Sequence, residues 1–254
     1  MPIFNKLLRI NSSDRLAGTA TDFSVNFTNV QMLGKVVSVV VKHVSFPNVF
    51  YNIRTGINDV FKWTNNTTTN SYNIVIPAGI YTVDSLETKI NELASAVDTN
   101  FYVQYIPTLF RYEFRYTNPT DVVEIKSPSQ GSTLSSTLGI DDTVTYTSEH
   151  ISEGFVKLQG VEHVYIRSIN LSKGNNMVQA NKRQEIPVVA MVPNNEPFGS
   201  IVHYETNHER LDVINYNGLA NLNQIDIKIT DADDNVLDLQ NQNINIVLKV
   251  YYEL

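Results

Sequence analysis

The densest gathering of residues able to bind a metal or move a proton is His203-Tyr204-Glu205-Thr206-Asn207-His208-Glu209, four candidate ligands within seven residues. Two histidines five apart do not share a face of a helix, and in a strand running into a loop they point different ways. The stretch therefore reads as a polar loop, with a metal site as the sharper alternative. Asp231-Ala232-Asp233-Asp234-Asn235 superficially resembles a calcium loop. It lacks the glycine and the distal glutamate that close coordination in an EF-hand, so a hairpin turn is the better reading. No Gly-rich phosphate loop, Gly-x-Ser-x-Gly elbow or His-Glu-x-x-His helix occurs. No catalytic, cofactor-binding or metal-binding residue is assigned, and the chain is not expected to be an enzyme.

Aromatic residues supply the other candidates. In Phe46-Pro47-Asn48-Val49-Phe50-Tyr51-Asn52-Ile53 the rings form either a plug at a corner of the core or a docking patch for a partner. Phe110, Tyr112, Phe114 and Tyr116 alternate with Arg111, Glu113 and Arg115, so one strand face carries four rings. That row either packs on a nearby helix or offers a carbohydrate-stacking surface. Phe46, Phe50, Tyr51, Tyr112 and Phe114 are the partner-docking candidates.

The elements that must position these residues are mostly strands. Ile244 to Tyr252 alternates apolar and polar side chains with the period of a half-buried strand, and Ile225, Ile227 and Ile229 do the same. A turn at Asp231–Asn235 and a short run through Val236, Leu237 and Leu239 separate them, which makes a closing meander. Near the other end, Phe23, Val25 and Phe27 alternate, and Val36 to Val44 is so rich in β-branched residues that both its faces are expected to be covered. His43, inside that run, reads as a partly buried, satisfied histidine. Gly154–Leu158, Val161–Ile169, Ile186–Pro193, Ser200–Tyr204 and Leu211–Ile214 continue the β pattern.

Between about 61 and 146 the pattern changes. A strand at Tyr72–Ile76 precedes the one convincing helix, for which Asp84 and Glu87 form the expected capping box and Leu86, Ile90, Leu93, Ala94 and Val97 the apolar stripe. A hairpin over Phe101–Tyr116 turns at Pro107-Thr108, and Val122–Ile125 is a further strand. The expected fold is mainly β: a single jelly-roll sandwich from residues 21–60 and 147–254, a small inserted α+β domain at 61–146, and an N-terminal arm at 1–20.

Composition sets outer bounds. The 254 residues are 42% hydrophobic and 18% charged, enough to bury a sizeable core. A net charge of −7 without any dense Lys/Arg run argues against general nucleic-acid binding. The absence of cysteine excludes disulfides, thiolate metal sites and a cysteine nucleophile. No apolar run approaches the roughly 20 residues of a membrane helix, and the first ten residues lack the apolar core of a signal peptide.

Three stretches carry a family likeness: Val44-Ser45-Phe46-Pro47-Asn48-Val49-Phe50-Tyr51-Asn52-Ile53 after a Val-rich strand; Ile76-Pro77-Ala78-Gly79-Ile80-Tyr81-Thr82-Val83-Asp84-Ser85-Leu86 opening a helix that contains Ile90-Asn91; and Leu138-Gly139-Ile140. In these the chain resembles the penton, or minor capsid, proteins of virophages, polinton-like viruses and related large DNA viruses. The resemblance implies a virion protein that forms homopentamers at icosahedral vertices, with the insertion facing outward. It implies contacts with the major capsid protein and minor capsid proteins, assembly inside the infected cell, and no cofactor. A minor or cement capsid protein, or a receptor- or glycan-binding module using the inserted domain, is the alternative.

Overall fold

Runs of β-branched and aromatic residues become strands nearly throughout, because such side chains pack well on a pleated, half-buried surface. A computed structural model describes residues 2–27, 35–172, 177–179, 184–206, 213–220 and 224–253, with backbone only at 177–179, 184–185 and 217–220. In chain order the elements are β1 (Ile3–Asn11), β2 (Ala17–Gly18), β3 (Asp22–Asn26), β4 (Lys35–Pro47), β5 (Val60–Asn65), β6 (Asn70–Val75), α1 (Val83–Ser95), β7 (Phe101–Ile106), β8 (Arg111–Tyr116), β9 (Val122–Ile125), β10 (Val144–Thr147) and β11 (Glu149–Ile151). There follow β12 (His163–Arg167), α2 (Ile169–Ser172), β13 (Met177–Gln179), β14 (Gln184–Ile186), β15 (Val188–Pro193), β16 (Ile201–Glu205), β17 (Ile214–Ala220), β18 (Gln224–Thr230) and β19 (Asn245–Glu253). Two compact units result: Met1–Phe50 with Val161–Leu254, and Tyr51–Gly160. The second is wider at both ends than the expected 61–146.

The first unit is a jelly roll. One sheet runs β1-β19-β4-β16, with β17 also paired to β4, and the other runs β15-β12-β18-β3-β2. Pairing is nested and antiparallel: β1 with β19, β3 with β18, β4 with β16, and β12 with β15. First pairs with last, second with seventh, third with sixth and fourth with fifth, which is the strand order of a jelly roll. The other unit interrupts the chain between the third and fourth of these strands. Ile246, Leu248 and Val250 of β19 share one core with Ile225, Ile227 and Ile229 of β18, as their alternation requires. Val39, Val40 and Val41 are all buried.

In this unit one open reading is decided, one expectation is corrected and one lies partly outside the described residues. The N-terminal arm packs on its own unit: Ile3 to Asn11 pair in unbroken register with Glu253 to Asn245, and Leu8 and Ile10 enter the core. The run through Val236 and Leu239 makes only an isolated bridge between Thr230 and Val236, although Leu237 and Leu239 are buried. Leu211 and Asp212 of the expected Leu211–Ile214 strand lie outside the described residues, and β17 starts at Ile214.

The second unit holds two antiparallel sheets, β10-β9-β5-β6 and β11-β8-β7, with α1 on the same core. Leu86, Ile90 and Ala94 of α1 are buried with Phe61, Trp63, Phe101 and Phe114. The helix cap differs from the expected Asp84/Glu87 box. Thr82 Oγ1 accepts from Ser85 N at 3.2 Å and Ser85 Oγ accepts from Thr82 N at 2.9 Å. Glu87 instead accepts from the backbone of Tyr105. The helix ends at Ser95, so Val97 lies past the stripe and is exposed. Residues 154–158 form no strand: Val156 and Leu158 pack on the core while Phe155 turns outward.

Candidate functional site

The metal-ligand candidates do not assemble. His203 and Glu205 lie on β16, opposite Ser45 and His43 of β4. Glu205 is 3.2 Å from Lys42 Nζ, and the His203 ring stacks on half-buried His43 with centroids 6.0 Å apart. His208 and Glu209 lie outside the described residues. No group of three or more His, Cys, Asp or Glu side chains placed to hold a metal occurs among the described residues. Asp231 is the hub of a turn, its Oδ1 accepting from Asp233 N and Asn235 N at 2.9 Å each. That is the self-capping reversal expected of Asp in a hairpin loop.

The docking candidates chosen from the sequence are mostly core. Phe46 and Phe50 are buried against each other, centroids 5.8 Å apart. Tyr112 and Phe114 are wholly buried and Tyr51 is half-buried. Tyr112 and Phe114 face inward because the even residues of β8 meet Leu86 and Ile90 across one apolar interior, which removes the motive for a carbohydrate-stacking row there. Phe110 does not belong to the row. It closes the β7–β8 turn in the left-handed region (φ 53°) and is 64% exposed.

The opposite face of the same sheet is the better candidate. Register sets Tyr102, Arg115 and Glu149 side by side, and then Gln104, Glu113 and Ile151. Glu113, itself buried, is 2.7 Å from Arg115 Nη2, and this hydrogen bond holds the guanidinium above its ordinary pKa. One strand pair further along, Arg111 lies with its guanidinium carbon 5.3 Å from the centroid of the Phe155 ring. Val156 N donates to Phe110 O at 3.1 Å, which brings Phe155 beside the turn that carries Leu109 and Phe110. Phe155 is 61% exposed. Exposed rings beside an arginine can stack on apolar or sugar faces and can bind a carboxylate. What this face offers a partner is exposed rings beside a cation. The sequence reading missed it by following the aromatic phase of β8; the charged phase, with Phe155 beyond it, was the available signal.

Of the stretches that carried the family likeness, Val44–Phe50 belongs to the first unit, and the rest lies in the second. Ile53 N donates to Gly79 O at 3.1 Å and Gly79 N to Ile53 O at 3.0 Å. Asn52 accepts from Tyr81 N at 2.9 Å and donates to Tyr81 O at 2.8 Å. Asn91 clasps Val103, accepting from its N–H at 2.7 Å and donating to its carbonyl at 2.8 Å. Leu138 and Ile140 are buried, and Gly139 (φ 83°) passes so close to Gly154 that a Cβ would sit 2.2 Å from the Gly154 oxygen. These contacts hold the second unit's fold together.

No family model matches the sequence, and no curated protein matches it. Among solved structures, the chain is similar to the mavirus penton protein with a TM-score of 0.53 and 11% sequence identity, over 97% of this chain and 99% of that one. The likeness establishes a mainly β, penton-like jelly-roll fold that extends over the inserted unit.

Proposed function

We propose that the protein is a structural component of a virus capsid, a penton that forms homopentamers at icosahedral vertices and contacts the major capsid protein there. The observation that carries this reading is the end-to-end likeness to the mavirus penton protein. A jelly roll alone occurs in lectins and cupins too. The shared length of both chains, with the insertion after the third jelly-roll strand, narrows the choice. In this reading the protein resides in the virion after assembly in the infected cell, minor capsid proteins are further neighbours, and no cofactor takes part. Ring closure would come from the same subunit surfaces meeting head to tail, each interface burying on the order of 1,000 Å² or more. Native mass measurement with negative-stain imaging of the purified protein tests it: a five-membered ring is expected, and a strict monomer or a trimer at high concentration overturns it.

A receptor- or glycan-binding role for the inserted unit is favoured by the exposed rings of Phe110 and Phe155, the latter beside half-buried Arg111. Phe155→Ala is expected to abolish attachment to host-cell surfaces while leaving the ring intact. Unchanged attachment would remove this second role and leave the capsid reading untouched.

A further inference from the structure

Arg167, at the end of β12, has a side chain only 5% exposed. Its Nη1 lies 2.9 Å from Asp234 Oδ1, but Nε and Nη2 have no hydrogen-bond partner among the described residues. Those two nitrogens form one edge of the guanidinium, the edge whose parallel N–H groups match the two oxygens of a carboxylate. Leaving a buried charged donor unpaired is costly, so an acceptor is called for.

The surroundings point to its class. Arg167 is a wall of a cavity of about 260 Å³, also lined by Ile186, Pro187, Lys228 and Asp226. That volume far exceeds the ~30 Å³ share of a single water. Register sets Lys228 directly opposite Arg167, and both cations turn to Asp234, the lysine at 3.7 Å. Asp226 is committed elsewhere, accepting from Ser168 Oγ at 3.2 Å and from Ile169 N and Asn170 N at 2.8 Å each. Asp22, the third carboxylate of the lining, lies opposite Lys228 in register, and no ion pair joins the two among the described residues. Asp234 reaches only Nη1 of Arg167, so the Nε/Nη2 edge stands without an anion although the lining holds three carboxylates against two cations. Three acidic side chains in the lining disfavour a doubly charged phosphate more than a singly charged carboxylate.

We propose that the Nε/Nη2 edge of Arg167 is a carboxylate-binding site on the jelly roll, filled by a small free carboxylate or by an Asp or Glu side chain of a second copy of the chain. The test follows the thermal midpoint of the full chain during titration with sodium acetate against sodium chloride at fixed ionic strength, with sedimentation of the same samples. Acetate is expected to raise the wild-type midpoint saturably. Arg167→Lys keeps a charge for Asp234 but loses the fork, and should weaken the acetate response about tenfold or more. Arg167→Gln serves as the second variant if the lysine form does not fold. If the site is filled by a second copy, acetate and Arg167→Lys both shift the sedimenting species toward smaller mass; if by a free carboxylate, mass is unchanged. A wild-type midpoint and mass that are both indifferent to acetate, or a lysine variant that responds as the wild type does, overturns the proposal.

Discussion

Asn52 shows how much structure one side chain can hold. Its amide bridges Tyr81 N, Tyr81 O and Leu158 O, all within the second unit. Asn52→Ala would leave those backbone groups short of partners, at a cost of about 2 kcal/mol, read as a lower urea midpoint. Phe110 is the reverse case. A bulky side chain in the left-handed region is strained by roughly 1 kcal/mol or more, and its ring lies mostly in solvent. Phe110→Gly is therefore expected to raise stability by about 0.5–1 kcal/mol, the relief exceeding the entropy glycine adds to the unfolded chain. A loss of stability instead would mean that the ring packs in place. Strain retained at an exposed aromatic is what a docking role for this turn would require.

At the scale of elements, α1 does two jobs. Its apolar stripe covers the second unit's core, and its polar flank seals β7, which would otherwise present a free sheet edge. Asn91 takes the Val103 N–H at 2.7 Å and Glu87 the Tyr105 N–H at 2.6 Å. Asn91→Ala should speed amide hydrogen exchange at Val103 by about tenfold or more while the middle of β8 stays protected. Tyr112 ties β8 to the start of the helix, its hydroxyl donating to Val83 O at 2.7 Å. Burial raises the Tyr112 and Tyr146 pKa values above the ordinary 10.0. Because the folded state holds these phenols neutral, their contribution is complete below the unfolded pKa near 10 and is lost as pH rises beyond it. Denaturation midpoints should thus fall above pH 10, and fall less steeply in Tyr112→Phe, which pays instead about 1 kcal/mol at pH 8 for the lost hydrogen bond.

At the scale of the whole molecule, two separate cores serve two compact units. Ile227 and Ile90 are each almost wholly buried, one in each core. Ile227→Ala and Ile90→Ala should each cost about 2–5 kcal/mol. Hydrogen exchange should place the first loss of protection in β18 and β3 and the second in α1 and β7. The jelly roll is closed by its first and last strands, since β1 pairs with β19 along its full length. The N-terminal residues are thus built into the fold, with Ile3 and Leu7 exposed on the edge strand β1.

The sequence alone determined β18 and β19, though they lie in different sheets and not in one meander, and also the hairpin over Phe101–Tyr116 and the β character of the chain, because alternation and side-chain shape act within a few residues. It located α1 but misplaced its cap, since Thr82 and Asp84 are both able caps and only the backbone path distinguishes them. It also offered Phe46, Phe50, Tyr112 and Phe114 as either core or docking residues, and only the fold decides for the core. Which face of a strand is covered depends on partners far along the chain. The same holds for the pairing of β1 with β19, some 240 residues apart, and for Arg167, whose cavity is assembled from five separate stretches of chain. Local chemistry writes the elements; the nested pairing of distant strands decides which of their faces meet solvent, and so where a partner can bind.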